Sequence, residues 1–242
     1  RVFQRPQQFF PIFTAPGAEI FSNLMTGWIL CTARKTITGI IPFADPYFQH
    51  AHDAYHRFFP DARWDTSRLW RMLTLILVKL FCPTETIILA LDDTLFHRSG
   101  RKVNGAGYWR DAVRSTKKSI VYAWGLNLVV VTLQIQPPWG GEPLGLPINM
   151  RLHRKNGPTL IDLAEQMTNE IHQWLPKRSF RIVGDGFYAP LAGRDFQNVT
   201  IISRIQCNAE IYDLPPKQKS KGRGRPRKKG RRLPCPQKMA QY

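Results

Sequence analysis

The chain has 242 residues, enough for one large domain or two small ones with a buried core. Its 35 Lys and Arg residues against 17 Asp and Glu residues give a formal net charge of +18, which favours a polyanionic partner, nucleic acid before an anionic membrane surface. The four cysteines are dispersed, which is typical of reduced thiols and argues against a disulfide scaffold. The apolar stretches are shorter than the roughly 20 residues of a spanning helix. We therefore expect a cytoplasmic protein, associated with the nucleoid if the source is bacterial, with no membrane partner and no small-molecule substrate.

Residues 1–83 carry apolar side chains at helical spacing and are punctuated by prolines. Helices are predicted within Glu19–Cys31 and Tyr47–Phe59, and a third is predicted to begin at a Thr66 or Ser67 cap. The region is either a DNA-binding module or a helical support for the following domain, because no sharp helix-turn-helix signature decides between the two.

Two histidines in this region, His52 and His56, are four residues apart and share a helix face, as zinc ligands do. No general-base Glu adjoins the first, and no third ligand follows at a telling distance. An ordinary helix face is therefore the favoured interpretation.

The spacing of the apolar residues changes from helix-like to strand-like at Thr86–Thr94, an apolar run with Asp92 and Asp93 near its end. Such a run predicts a strand buried on both faces, with the carboxylates at its tip. Strand alternation places the two carboxylates on opposite faces, so only one serves a given cluster. The same design returns at Phe180–Val183, which is followed by Gly184 and Asp185. We predict Asp93 and Asp185 as paired acids, with Asp92 as the alternate.

A glycine-rich, basic segment, Phe96–Lys118, follows the first strand. It is either a loop that tracks a phosphate backbone or a solvated hairpin connection. Tyr108 and Trp109 are candidates for stacking on bases. The candidate DNA-binding residues of this segment are Arg101, Lys102, Arg110, Arg114, Lys117 and Lys118.

The rest of this region completes an α/β fold. The pattern predicts strands at Ser119–Ile135, Leu144–Leu152 and Val199–Ser203, a helix at Pro158–Trp174 and a short helix at Pro190–Phe196. With the two acid-bearing strands the order is β-β-β-α-β-α-β. A right-handed crossover then lays the strand before Asp185 parallel to the strand that carries Asp93. Two carboxylates at one sheet edge are the outline of a two-metal site for phosphodiester chemistry, with Mg²⁺ or Mn²⁺ as the fitting ions.

Four motifs in this order resemble an IS4/IS701-type DDE transposase with a ribonuclease-H-like core. They are Leu-Asp-Asp-Thr at 91–94, Gly-Arg-Lys-Val-x-Gly-x-Gly at 100–107, Arg-Asp-Ala-Val-Arg-Ser-Thr at 110–116 and Val-Gly-Asp-Gly-x-Tyr at 183–188. The resemblance, over roughly residues 84–232, implies an antiparallel 3-2-1 meander with strands 4 and 5 parallel to strand 1. It also implies that Asp93 and Asp185 are the first two catalytic acids and metal ligands, and that DNA is cut and rejoined at element ends with Mg²⁺.

The third acid of that family, a Glu on a late helix, has no counterpart in this chain. Glu210 and Asp213 are the only acids after Ser203, and Pro215-Pro216 stops a helix there. Since the sequence also begins at Arg1, we expect a fragment that ends before the third acid. The expected organisation is a helical region at 1–83, a catalytic core at 84–206 and the start of an insertion at 207–242.

The insertion is strongly basic, with ten Lys or Arg and no acid between Lys217 and Arg232. Arg223-Gly-Arg-Pro-Arg227 resembles an AT-hook, in which Gly and Pro keep the backbone narrow while Arg side chains enter the minor groove of A·T-rich DNA. A solvated linker or a localisation signal is the alternative. We expect this segment to be disordered without DNA. Its candidate DNA-binding residues are Arg223, Arg225, Arg227, Lys228 and Lys229.

These observations favour a DDE transposase that acts on double-stranded DNA, as a homodimer within its DNA complex. The alternative is a non-catalytic DNA-binding protein with a decayed ribonuclease-H-like fold. A ribonuclease-H-like nuclease unrelated to transposition is the third choice.

Overall fold

The structure is a computed structural model that describes residues 6–83, 86–100, 102–116, 118–215 and 227–240. The chain divides into two compact units, Arg1–Pro83 and Thr84–Tyr242. No helix within the described ranges is long and apolar enough to cross a membrane.

The first unit is helical. Its elements are a 3₁₀ helix at Pro6–Ile12 and four α-helices, α1 (Ala15–Leu30), α2 (Ile37–Ala44), α3 (His52–Arg57) and α4 (Thr66–Phe81). Ile20, Ile40 and Tyr55, from α1, α2 and α3, belong to one buried cluster with Phe58. Burying a large apolar side chain contributes about 1.5–3 kcal/mol. Helices as short as α2 and α3 are marginal alone, so they depend on this cluster.

Two aspartates fix the ends of these helices. The Asp45 carboxylate, after α2, accepts hydrogen bonds from the N–H groups of Gln49 at 2.9 Å and His50 at 2.8 Å. Asp65 caps α4, because its carboxylate accepts from the Ser67 N–H at 2.8 Å. The prediction of Thr66 or Ser67 as the cap was therefore wrong. The carboxylate one residue earlier takes the free N–H group.

The second unit is built on a six-stranded mixed sheet. Its strands are β1 (Thr86–His97), β2 (Gly107–Arg110), β3 (Tyr122–Ile135), β4 (Leu144–His153), β5 (Ser179–Gly184) and β6 (Val199–Ser203). The order across the sheet is β4-β3-β1-β5-β6, with β2 paired to the first residues of β3. β1, β3 and β4 form an antiparallel meander, β5 is parallel to β1, and β6 is parallel to β5. The predicted α/β class, with a ribonuclease-H-like core, is confirmed.

β1 differs from its prediction in two respects. It is buried on one face only, since Ile87, Leu89 and Leu91 are buried whereas Ile88 is 45% exposed. It also continues to His97, so Asp92 and Asp93 lie within the strand and not at its tip. The extension follows from β3, which pairs with β1 as far as the His97–Gly125 pair.

The strand β2 was not predicted, because its four residues lie inside the segment interpreted as a loop. It pairs antiparallel with the start of β3, from the Gly107–Gly125 pair to the Arg110–Tyr122 pair. Gly125 has to be glycine, because a Cβ there would collide with the backbone carbonyl of Phe96.

The helix α5 (Leu160–Trp174) packs against β3 and β4. Thr159 and Asp162 form a capping box at its start, with the side chain of each bonded to the backbone of the other. Leu163, Met167 and Ile171 are buried, as the helical spacing predicts. After β5 in the chain, the sequence predicted a helix at Pro190–Phe196. The structure has a 3₁₀ helix there that begins and ends earlier, at Gly186–Gly193.

Candidate active site

The pairing of β1 with β5 decides where the two predicted acids lie. These strands are adjacent and parallel, and Leu91 opposite Gly184 is their last aligned pair. Asp185 therefore follows directly at the carboxyl end of β5, beside the part of β1 that carries Asp92 and Asp93. The electrostatics reflect this neighbourhood, since the charge of Asp185 raises the pKa of Asp93.

Asp93 lies on the same face of β1 as the buried Leu89 and Leu91. Burial and then the charge of Asp92 raise the pKa of the Asp93 carboxyl, while hydrogen bonds from Tyr188 and Asn127 lower it. The Tyr188 hydroxyl donates to Asp93 Oδ1 at 3.3 Å, and this tyrosine is 1% exposed. Burial and the charges of Asp93, Asp92 and Asp185 raise the pKa of Tyr188, so it stays a protonated donor.

Asp92 points to the other face and is exposed. Its Oδ1 accepts the backbone N–H of Asp93 at 2.8 Å, which fixes the carboxylate against its own strand. Asp92 and Asp93 therefore lie on opposite faces of β1, as strand alternation predicts.

Asp185 is exposed and stands at the start of the 3₁₀ helix. Its Oδ1 accepts the Phe187 N–H at 3.0 Å, and its backbone carbonyl accepts the Ser203 hydroxyl at 2.7 Å. Beside this residue lies an open cleft of about 480 Å³, lined by Asp185, Gly186, Phe187, Arg204, Ile205, Gln206 and Cys207.

Two side chains of this site were not predicted, Asn127 on β3 and His153 on β4. They are opposite each other in the β3–β4 pairing, and Asn127 Nδ2 lies 3.4 Å from His153 Nδ1. Burial lowers the pKa of His153, and the charge of Asp93 opposes this. In the sequence, Asn127 can be recognised as a single amide side chain in the apolar stretch Leu126–Val131. Gly125 and Val129, two residues before and after it, are buried.

A third acid is not brought to this site by the described residues. In the described part of the chain, no group of three or more His, Cys, Asp or Glu side chains is placed to hold a metal ion. His52 and His56 therefore do not belong to such a group among the described residues. Glu165, on α5, pairs with Arg194, with its Oε2 3.4 Å from Arg194 Nε. Asp195 is exposed beyond the far end of the 3₁₀ helix from Asp185. Eight residues at about 2 Å each separate the two ends by roughly 16 Å.

The basic segment after β1 is held by a buried aspartate. Asp111 is 2% exposed, and its carboxylate accepts the N–H groups of Val113 at 3.1 Å and Arg114 at 3.0 Å. The Arg114 N–H and then the His97 ring lower the pKa of Asp111, with His97 Nε2 2.8 Å from Asp111 Oδ2.

Of the candidate DNA-binding residues in this segment, those that the structure describes are exposed: Lys102, Arg110, Arg114 and Lys118. Arg101 and Lys117 lie outside the described residues. Tyr108 is 61% exposed, whereas Trp109 packs against His153, with ring centroids 4.6 Å apart. Of the two predicted stacking residues, Tyr108 is therefore the more accessible one.

Residues 207–242, which we expect to be the start of an insertion, are described by the structure before and after their most basic part. Tyr212 and Arg232 form an antiparallel bridge, and Arg232 pairs with Glu210 at 2.9 Å. A short helix, α6 (Pro236–Met239), follows. Arg223 and Arg225 lie outside the described residues, whereas Arg227, Lys228 and Lys229 are exposed. Lys229 Nζ lies 4.3 Å from the centre of the Tyr212 ring.

The order and the directions of the strands define a ribonuclease-H-like core. The sequence pattern of the DDE superfamily endonuclease family matches residues 8–241, and the chain belongs to this family. No curated protein matches the chain closely enough to be counted as a relative.

Proposed function

We propose that this chain is a fragment of a DNA transposase of the IS4/IS701 type, an enzyme that cleaves and transfers DNA strands at transposable-element ends with a divalent metal. The observation that supports this most is the placement of Asp93 on β1 and of Asp185 directly after the adjacent parallel strand β5, within electrostatic range of each other. The chain belongs to the DDE superfamily endonuclease family, and we propose Asp93 and Asp185 as its catalytic acids, with Asp92 as the alternate.

The residues present fit a Mg²⁺ or Mn²⁺ ion. Carboxylate oxygens are the ligands that these ions prefer, and Asp93 and Asp185 would hold the ion. Three carboxylates, Asp92, Asp93 and Asp185, act together on the Tyr188 hydroxyl, so negative charge is concentrated here. Asn127 Oδ1 is a buried acceptor without a hydrogen-bond partner. When bound, the ion activates the attacking hydroxyl and stabilises the leaving oxygen of the phosphodiester.

The protein's own residues hold and orient these acids. Tyr188 fixes one oxygen of Asp93, and the Phe187 N–H fixes one oxygen of Asp185. Each acid therefore keeps a defined orientation, which is how a site reduces the reorganisation needed for reaction. Arg204, in the cleft beside Asp185, offers a cation to a DNA phosphate.

Double-stranded DNA is the proposed partner, bound through the exposed basic residues after β1 and through the basic insertion. The proposed organisation keeps 1–83 as a helical region, 84–206 as the catalytic core and 207–242 as the start of an insertion. A homodimer within the DNA complex and a cytoplasmic location, at the nucleoid if the source is bacterial, complete the proposal.

A second candidate is a non-catalytic DNA-binding protein with a decayed nuclease-like fold. It is favoured by the observation that no three-ligand cluster for a metal lies among the residues that the structure describes.

Titration with Mn²⁺, followed by the electron paramagnetic resonance signal of the free ion, separates the two candidates. We expect Asp93→Ala and Asp185→Ala to lose most of the Mn²⁺ affinity of the wild type, because each removes a proposed ligand. The matched control is Asp195→Ala, an exposed aspartate at the far end of the 3₁₀ helix, which should bind as the wild type does. Equal Mn²⁺ affinity in all four proteins would favour the non-catalytic candidate.

A further inference from the structure

We propose that Asn127 and His153 are positioning residues that orient the Asp93 carboxylate toward the metal ion, an inference that rests on the proposed function. The pair belongs to β3 and β4, whereas the candidate acids come from β1 and β5. Three strands, β1, β3 and β4, therefore contribute side chains to the surroundings of the Asp93 carboxylate.

The register explains how Asn127 reaches Asp93. Asp93 is opposite Val129 on β3, and Asn127 is two residues further along, on the same face. Such diagonal neighbours are about 7–8 Å apart, within reach of a side-chain amide. Asn127 is only 6% exposed, and its nearby amide lowers the pKa of the Asp93 carboxyl.

The donors and acceptors assign the two ends of the amide. An ionised carboxylate only accepts, and the amide nitrogen carries two hydrogens. Asn127 Nδ2 can therefore donate to Asp93 and also to His153 Nδ1, 3.4 Å away, if that ring nitrogen is unprotonated. The ring proton of His153 then resides on Nε2.

Packing holds the imidazole in place. The Trp109 ring lies against His153 at 4.6 Å between centroids, and Lys155 Nζ lies 5.9 Å from the Trp109 ring centre. Trp109 belongs to β2, so this short strand helps to hold the His153 ring. The His153 ring in turn helps to hold the Asn127 amide.

The other end of the amide distinguishes this asparagine from a structural one. Asn127 Oδ1 is buried and has no partner. Asn149 on β4, 0% exposed, is satisfied at both ends, because Nδ2 donates to Glu170 at 2.9 Å and Oδ1 accepts from the Met150 N–H at 2.9 Å. An orphaned acceptor beside a carboxylate is expected where the hydration shell of a cation completes the site.

The test compares Asn127→Ala with Asn149→Ala in the full chain of residues 1–242. Both substitutions remove a buried amide, so both should lower the melting temperature in EDTA. Only Asn127→Ala should weaken Mn²⁺ binding, by about 10- to 100-fold, as loss of a supporting group does at metal sites. His153→Ala should weaken it in the same direction. The inference would be overturned if Asn127→Ala bound Mn²⁺ as tightly as the wild type while Asp93→Ala lost affinity.

Histidine-ring NMR with ¹⁵N labelling tests the pair without metal. We expect the His153 ring to be protonated at Nε2 in the wild type, and its resonance to move in Asn127→Ala but not in Asn149→Ala. A ring protonated at Nδ1 would overturn the pairing. If the wild type shows no Mn²⁺ binding that depends on Asp93, the proposed function fails instead, and the NMR result still decides the pairing.

Discussion

At the scale of single residues, Asp93 combines burial with negative neighbours. Burial and the charge of Asp92 favour the neutral carboxyl, whereas donors from Tyr188 and Asn127 favour the ionised one. The balance leaves the pKa raised, so in the metal-free protein the ionised form is under electrostatic stress. We expect a divalent cation to remove this unfavourable interaction, so the residues proposed to bind the metal also destabilise the metal-free protein.

Asp93→Asn should raise the melting temperature of the metal-free protein at pH 7. The folded-state pKa of Asp93 lies above its ordinary value of 3.8. The destabilisation by the ionised group is therefore fully present above the folded pKa and disappears as the pH falls below the unfolded pKa. Asparagine is isosteric, carries no charge and still accepts from Tyr188. Melting curves in EDTA should show the gain at pH 7 and its loss at about pH 3. A lower melting temperature than the wild type at pH 7 would contradict this account.

At the scale of elements, the sequence predicted what local chemistry determines. The apolar run of β1, the apolar face of α5 and the Gly184–Asp185 pair at the end of β5 could all be predicted from the sequence. The length of β1 was not, because its pairing with β3 as far as His97 is a long-range contact. β2 was missed for the same reason, since four residues among glycines and cations have no periodicity of their own.

The candidate site shows the same division. Asp93 and Asp185 were predicted as a pair because crossover handedness brings parallel strands together. Asn127 and His153 were missed, because their relation depends on the β3–β4 register and on the β1–β3 register, which no local pattern specifies. Sequence alone indicates that a lone asparagine in an apolar strand is unusual, and the structure identifies its neighbours.

The basic insertion should dominate non-specific DNA affinity. Each phosphate neutralised by a cation contributes about 0.9 to the slope of log affinity against log salt concentration. Replacing the Lys and Arg residues between 217 and 229 by Ser and Gln, with Gly230–Arg232 kept, preserves the Tyr212–Arg232 bridge. We expect this variant to bind duplex DNA with a clearly smaller salt slope than the wild type. A matched variant with Lys102, Arg110 and Lys118 changed to Gln measures the share of the other basic segment. An unchanged slope in the first variant would count against the insertion.

At the scale of the whole molecule, charge separates binding from catalysis. The net charge of +18 supplies attraction to DNA whatever the state of the acids. Two aspartates, in contrast, supply two negative charges against the four positive charges of two divalent ions, and a two-metal site normally needs a third acid. Glu165 is engaged with Arg194, and Asp195 is remote from Asp185 along the 3₁₀ helix. DNA binding and weak binding of one metal ion therefore fit the described residues better than cleavage does.

The chain of residues 1–242 should bind DNA and one Mn²⁺ ion weakly, without cleaving DNA. The physical reason is that the described residues bring no third acid to Asp93 and Asp185, so the negative charge is too small to hold a second ion against repulsion by the first. Incubation with supercoiled plasmid and Mn²⁺, followed on agarose gels, measures nicking, and a gel shift on the same plasmid confirms binding. Asp185→Ala, purified in parallel, distinguishes nicking by this protein from nicking by a contaminant. Nicking by the wild type that disappears in Asp185→Ala would refute the prediction. Loss of that nicking in Asp195→Ala or in Glu165→Ala would then identify the residue that supplies the third charge.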